Sequence, residues 1–352
     1  MKNISKLLVG ILFSALVVSP SFAGELSVTG GATATYSTNG DSDAEGKNLG
    51  ISNEIDFSAT GELDNGMTWS YQVQLDGATS ANDDTKLTIG SDFGTVGFFV
   101  TEGGLSTELH GVGAMGPGFD YVSPTSFETG YDVSSYSNVQ YHTPSGLLPL
   151  GASVKIGYVP NMNSTGQLSA KESTPNPASA ATGRNLTHLQ LAIAPIDGLS
   201  IKGDVAQTSL ETGVAVSVEE GIAANIGASY THNVGTDSKI SVGYVDGGYQ
   251  PAIASGELVY YESKFYGIQF DVNDSLAVSY NVDKSNKNTR AAVVATATAG
   301  TRTSVEMEQK SIQLAYTTGG ATIGITQVEV DNSDYTSGKA EGQTVISLGI
   351  SF

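Results

Sequence analysis

The chain has no cysteine, so neither a disulfide framework nor a thiolate metal site can organise it. Basic residues are scarce, 16 Lys and Arg against 36 Asp and Glu, and the arginines are confined to Arg184, Arg290 and Arg302. That balance excludes the basic footprint that nucleic-acid binding needs. Long apolar runs are also missing. The longest, Leu7 to Val18, is 12 residues, short of the ~20 that a membrane-spanning helix requires. It follows Lys2 and Lys6 and precedes Ser21-Phe22-Ala23, the order of a secretory signal peptide, which predicts a leader over 1–23 and a mature chain over 24–352. Removing Lys2 and Lys6 leaves 14 basic against 36 acidic residues, a formal net charge of −22. Such a balance fits a solvated acidic surface or a role in selecting solutes.

What is present is alternation with a period of two, the mark of strands. Leu26, Val28, Ala32, Ala34 and Tyr36 share one face, with Ser27, Thr29, Thr33 and Thr35 on the other. The next run sets Leu49, Ile51, Ile55, Phe57, Ala59 and Leu63 against Ser52, Glu54, Asp56, Ser58, Thr60 and Glu62. Asn65-Gly66 supplies a two-residue hairpin signal, and Met67, Trp69, Tyr71, Val73 and Leu75 resume the apolar face. The pattern repeats to the C-terminus. It predicts a tenth strand starting near Val214, and polar loops over Asp246 to Glu257, Asp283 to Val305 and Asp331 to Gln343.

Sixteen such strands can be counted, joined by tight turns on one side and longer loops on the other. A soluble sandwich has no reason to sort its loops by length, whereas an outer-membrane barrel does. Only a closed sheet satisfies every backbone group within hydrocarbon. The reading is therefore all-β: a sixteen-stranded antiparallel transmembrane β-barrel, apolar outside and polar inside. Within it, Thr101 to Ser135 is the longest irregular run. Loops of that length are usually functional or disordered. This one carries Leu105, Leu109, Met115, Phe119, Tyr121, Phe127 and Tyr131, enough apolar surface to fold onto a wall. We expect it to fold inward and narrow the bore.

The opening GELSVTGGATATY, the block ISNEIDFSATGELDNGMTWSYQVQLDG, the hairpin LTIGSDFGTVGFF and the closing VISLGISF together resemble the Gram-negative general porins, and among them the alphaproteobacterial branch. The resemblance implies a homotrimer in the bacterial outer membrane, an inward third loop, and passage of small hydrophilic solutes and ions. It also implies a terminal signal for the barrel-assembly machinery, carried here by Ile346, Leu348, Ile350 and Phe352. In such porins bases on the wall face acids on the loop. Here the loop offers Glu102, Glu108, Asp120, Glu128 and Asp132, and the wall offers Glu54, Asp56 and Glu62 beside Lys86, Lys155, Lys202 and Lys239. The alternatives kept open are a nutrient-preferring channel and an outer-membrane structural or adhesin barrel.

No catalytic set stands out. Of four histidines, His142 and His188 share the inward parity, His110 falls in the long loop and His232 is read as a turn residue, so none lies where a lipid-cleaving site would be. No cofactor is expected. Asp41-Ser42-Asp43, Asp83-Asp84 and Asp331 to Asp334 offer oxygens to Ca²⁺, but with no EF-hand spacing, and solvated acidic loops are the simpler reading. Tyr36, Trp69, Tyr71, Tyr158, Tyr230 and Tyr244 face outward, as an interfacial girdle against membrane lipid requires.

Overall fold

The computed structural model describes residues 24–39, 46–76, 84–107, 112–115, 127–128, 130–162, 184–210, 220–252, 258–290 and 302–352. The expected leader, 1–23, lies outside them. The strands are β1 (Glu25–Asn39), β2 (Lys47–Glu62), β3 (Thr68–Asp76), β4 (Thr85–Ser91), β5 (Gly94–Val100), β6 (Asn138–His142), β7 (Ser153–Val159) and β8 (Arg184–Ile193). They continue with β9 (Leu199–Leu210), β10 (Ile222–Asn233), β11 (Lys239–Gln250), β12 (Leu258–Asn273), β13 (Leu276–Arg290), β14 (Thr303–Thr318), β15 (Ala321–Asp331) and β16 (Ala340–Ser351). Each pairs antiparallel with its chain neighbours, and β1 pairs with β16, so the sixteen-stranded barrel closes.

The seam is fastened at its end by a reciprocal pair, Gly30 N–H to the Phe352 carbonyl (3.0 Å) and Phe352 N–H to that of Gly30 (2.9 Å). The Phe352 ring lies over Gly30, where a Cβ would stand 3.1 Å from it. Closure leaves no unpaired edge, which is what allows a sheet to stand in lipid.

Connections sort by length as the sequence predicts. Those at 63–67, 92–93, 194–198, 234–238, 274–275 and 319–320 are tight, and the start of β1 and the end of β16 lie at the same end. The exception is 143–152, which carries a single 3-10 turn at Pro149–Gly151. Five boundaries differ from expectation. β10 starts at Ile222 rather than near Val214, which lies outside the described residues. β11 runs on to Gln250, β13 and β14 continue through Arg290 and from Thr303, and β16 begins at Ala340. Both faces of these overhangs are rich in polar groups, which erases the alternation that marks a strand in the sequence.

The overhangs explain where the apolar belt ends. On the outer face of β12–β15 the rows Phe270–Val278–Leu314–Ile325 and Ile268–Tyr280–Ile312–Gln327 are followed toward the long-loop side by Tyr266–Val282–Lys310–Glu329. Next comes the charged row Asp246–Lys264–Lys284–Glu308–Asp331 across β11–β15. Lys284 pairs with Glu306 (3.6 Å) and with Glu308, which also binds Lys310. Tyr244 and Tyr266 touch beneath that row, with ring centroids 5.2 Å apart. Aromatic rings under a charged rim are the arrangement of a bilayer interface.

Candidate functional site

The loop 101–137 leaves β5 and turns into the barrel. The Asp132 carboxylate joins its two arms, accepting from the backbone N–H of Leu105 (3.0 Å), Ser106 (2.8 Å) and Ser134 (3.1 Å). Asn138, on the inner face of β6, donates to the carbonyls of Glu102 (3.1 Å) and Val133 (3.0 Å). The neck is then tied to β8 and β9. Gln190 donates to the Leu105 carbonyl (2.6 Å), and Asp204 accepts from Thr107 N–H (2.6 Å). His188 is fully buried between two carboxylates, with Nε2 3.2 Å from Asp204 Oδ1 and Nδ1 3.8 Å from Asp132 Oδ1. Leu105 and Val133 pack with Val159, Leu186, Ala206 and Ala223 in a small core inside the barrel.

Beyond the neck the loop crosses the lumen. Gly113, Ala114 and Met115 donate their N–H groups to Gln269 (2.9 Å), Ser279 (2.9 Å) and Gln313 (2.6 Å) on β12, β13 and β14. Met115 lies over Gly324 of β15, a position at which any Cβ would collide with its thioether. On the return, Phe127 enters a second core with Val245, Phe265, Met307, Val328 and Val330, meeting Phe265 edge-on at 5.3 Å. Tyr131 stands perpendicular to Tyr249 at 5.2 Å, and its hydroxyl accepts from Ala252 N–H (2.8 Å). The loop therefore anchors on β8–β15. The inner face of β1–β2 is open instead: Ser27, Thr29, Ser52, Glu54, Thr60 and Glu62 are exposed there, and Thr29, Thr33, Ser52, Glu54 and Asp56 border a cavity of about 650 Å³.

The expected constriction acids separate by role. Asp132 is a structural clamp. Glu102 is half-buried, and its carboxylate accepts from Gly103 N–H (3.0 Å). Glu128 is exposed, and its N–H donates to the Tyr335 hydroxyl (3.2 Å). Glu108 and Asp120 lie outside the described residues. On the wall, Asp56 accepts from Gln72 (2.6 Å). Lys86 and Lys155 are half-buried and Lys202 is exposed, all at inward positions. Lys155 on β7 pairs in register with Gln190, and Lys202 on β9 lies two residues before Asp204. Lys239 opens β11 at the short-turn rim, beside Ala114, Asp271 and Asn273. Ile346, Leu348, Ile350 and Phe352 all face outward and are exposed.

Several outcomes were not foreseen. His232 is not in a turn but in β10, facing outward and stacked on Tyr230 at 6.2 Å. The partners Asp204, Gln190 and Asn225 gave no signal beyond inward parity. Val245, Phe265, Met307, Val328 and Val330 break the expectation of a polar lumen, and that break was the visible sign of something packed against them. Among the described residues no group of three His, Asp or Glu side chains is arranged to hold a metal. Asp334, in one of the acidic stretches, pairs with Lys339 at 2.6 Å.

No family model and no curated relative matches the chain. Solved structures do. The chain is similar to OmpT of Vibrio cholerae in its trimer form, an outer membrane protein, with TM-score 0.62, 12% identity, and 94% of this chain and 100% of that one covered. It is similar to a porin refined at 1.8 Å, with TM-score 0.58, 15% identity, and 93% and 100% covered. It is also similar to the anion-selective porin of Comamonas acidovorans, with TM-score 0.59, 12% identity, and 94% and 100% covered. At these identities the likeness is one of fold, and the fold is the porin-type sixteen-stranded barrel.

Proposed function

We propose that this chain is an outer-membrane diffusion channel for small hydrophilic solutes and ions, weakly selective for cations. The observation that carries the reading is the division of the lumen, in which the described residues of the loop pack onto β8–β15 while the polar inner face of β1–β2 stays exposed. A barrel built only to hold up adhesive loops has no need to be narrowed and left open at once. The open wall is acidic at Glu54, Asp56 and Glu62, and fixed charges in a low-dielectric bore set which ion enters more readily.

The same reading makes the chain a homotrimer, inserted by the barrel-assembly machinery after removal of residues 1–23. Support for the trimer lies on β1–β2, where apolar outward residues reach almost to the long-loop end. Leu49 and Ile51, 77% and 74% exposed, sit beside the start of β2, at the end where β12–β15 carry charge. Apolar side chains above a lipid belt are best covered by protein. Reconstitution of the purified protein in a planar bilayer tests the channel: stepwise currents are expected, and a bilayer that stays electrically silent with folded protein present would end the proposal.

A further inference from the structure

The loop joining β15 to β16, 332–339, is built to hold one side chain in place. Three of its non-glycine residues take left-handed backbone, Asn332 (φ 54°), Asp334 (φ 52°) and Tyr335 (φ 55°). Side chains with a Cβ resist that conformation, and it persists only where surrounding contacts enforce it. The contacts are dense. Asn332 donates to the Glu306 carbonyl (2.7 Å) and accepts from Gly338 N–H (2.8 Å). Ser333, fully buried, donates to Glu341 (2.7 Å). Lys339 bridges Asp334 (2.6 Å) and Glu341 (2.9 Å).

This bracing sends Tyr335 into the lumen. Its ring meets Tyr261 edge-on at 5.3 Å and packs against the core that holds Phe127. Its hydroxyl donates to Ser285 Oγ (2.9 Å) and accepts from Glu128 N–H (3.2 Å). The Lys287 ammonium lies 5.5 Å above the ring. Burial raises the phenol's pKa above its usual value, so the hydroxyl keeps the proton it donates. One side chain thus grips both the β12–β13 wall and the return arm of the constriction loop.

We propose that the β15–β16 loop is a strained brace, and that Tyr335 is the positioning residue through which it fixes the constriction loop and holds the bore at one size. The proposal rests on the channel reading, and its test keeps the two apart. Full-length protein is reconstituted with Tyr335→Ala, Tyr335→Phe, and, as a control for an outward tyrosine that touches Arg302 instead of the loop, Tyr260→Ala. Two quantities are read: hydrogen exchange at the Glu128 amide, and open-channel current noise. In Tyr335→Ala, exchange at Glu128 should quicken by about tenfold or more, and current should wander among sublevels and close at lower voltage. Tyr335→Phe, which keeps the ring, should raise exchange less and leave mean conductance near that of wild type. Tyr260→Ala should change neither. A folded Tyr335→Ala protein with wild-type exchange and noise overturns the brace, as does a Tyr260→Ala protein that reproduces its effects. If Tyr335→Ala does not fold, the Glu128 amide in Tyr335→Phe decides, and unchanged exchange there counts against the proposal. A silent wild type would remove the channel reading while the exchange measurements still judge the brace.

Discussion

At the scale of residues, one acid of the constriction loop is committed to structure rather than to the open wall. Asp132 satisfies three backbone N–H groups that belong to opposite arms of the loop. Leaving a buried donor without a partner costs about 1–3 kcal/mol, so Asp132→Ala should loosen the neck by roughly 3 kcal/mol or more, and Asp132→Asn, which keeps one oxygen, by about half of that. The check is amide exchange at Leu105, Ser106 and Ser134 in the folded barrel. Protection that survives the alanine substitution would mean that Gln190, Asp204 and Asn138 hold the neck without it. The sequence offered no way to tell this acid from Glu128, because a clamp and a pore charge have the same composition. What separates them is which N–H groups the chain brings within reach.

At the scale of elements, the seam contact of the C-terminal strand and its proposed assembly role can be separated by substitution. Deleting Phe352 removes both the outward ring and the two backbone bonds to Gly30, whereas Phe352→Ala keeps the bonds. Deletion should therefore slow refolding in detergent and impair assembly in cells, while Phe352→Ala should impair cellular assembly more than refolding; equal refolding rates for deletion and wild type would deny the seam any role. A second element-scale expectation concerns β1–β3. Ala32, Ala34 and Ala59 leave a low outer surface there, although Gly61, which parity placed in the same patch, is roofed by the Trp69 indole. Ala34→Trp should weaken the trimer more than Ala224→Trp, read as the temperature at which the oligomer dissociates in detergent, and equal losses would move the contact elsewhere. The strands were legible because lipid on one side and water on the other force a period of two. That constraint ends where the wall leaves the bilayer, so the overhangs of β13 and β14 and the start of β16 read as loops. It is also relaxed inside the barrel where protein replaces water, which is why Phe265, Met307 and Val328 sit at polar parity and why Tyr335 had no signature.

At the scale of the whole molecule, the remaining question is which charges govern the bore. The same fold carries an anion-selective channel in another organism, so sign is set by side chains rather than by architecture. In this chain the division of the lumen assigns the roles. The described residues of the constriction loop pack on β8–β15, its Asp132 is consumed by hydrogen bonds, and Lys155 and Lys202 lie on β7 and β9, while Glu54, Asp56 and Glu62 line the inner face of β2. Under the proposed channel reading, an ion in the open half would pass Glu54, Asp56 and Glu62, with Lys86, Lys155 and Lys202 as the opposing bases, and the chain's excess of 36 acidic over 16 basic residues sets the sign. We expect K⁺ to be preferred over Cl⁻ modestly, with the preference fading as salt rises and the Debye length falls from about 10 Å at 0.1 M to about 3 Å at 1 M. Glu54→Gln with Asp56→Asn should lower the preference, and neutralising Glu108, Asp120 and Glu128 should lower it further by removing three of the loop's acids. Zero-current potentials in a KCl gradient read both effects. Anion preference in wild type would refute the assignment of sign, and a potential moved by the loop substitutions alone would show that ions follow the loop rather than the β2 wall.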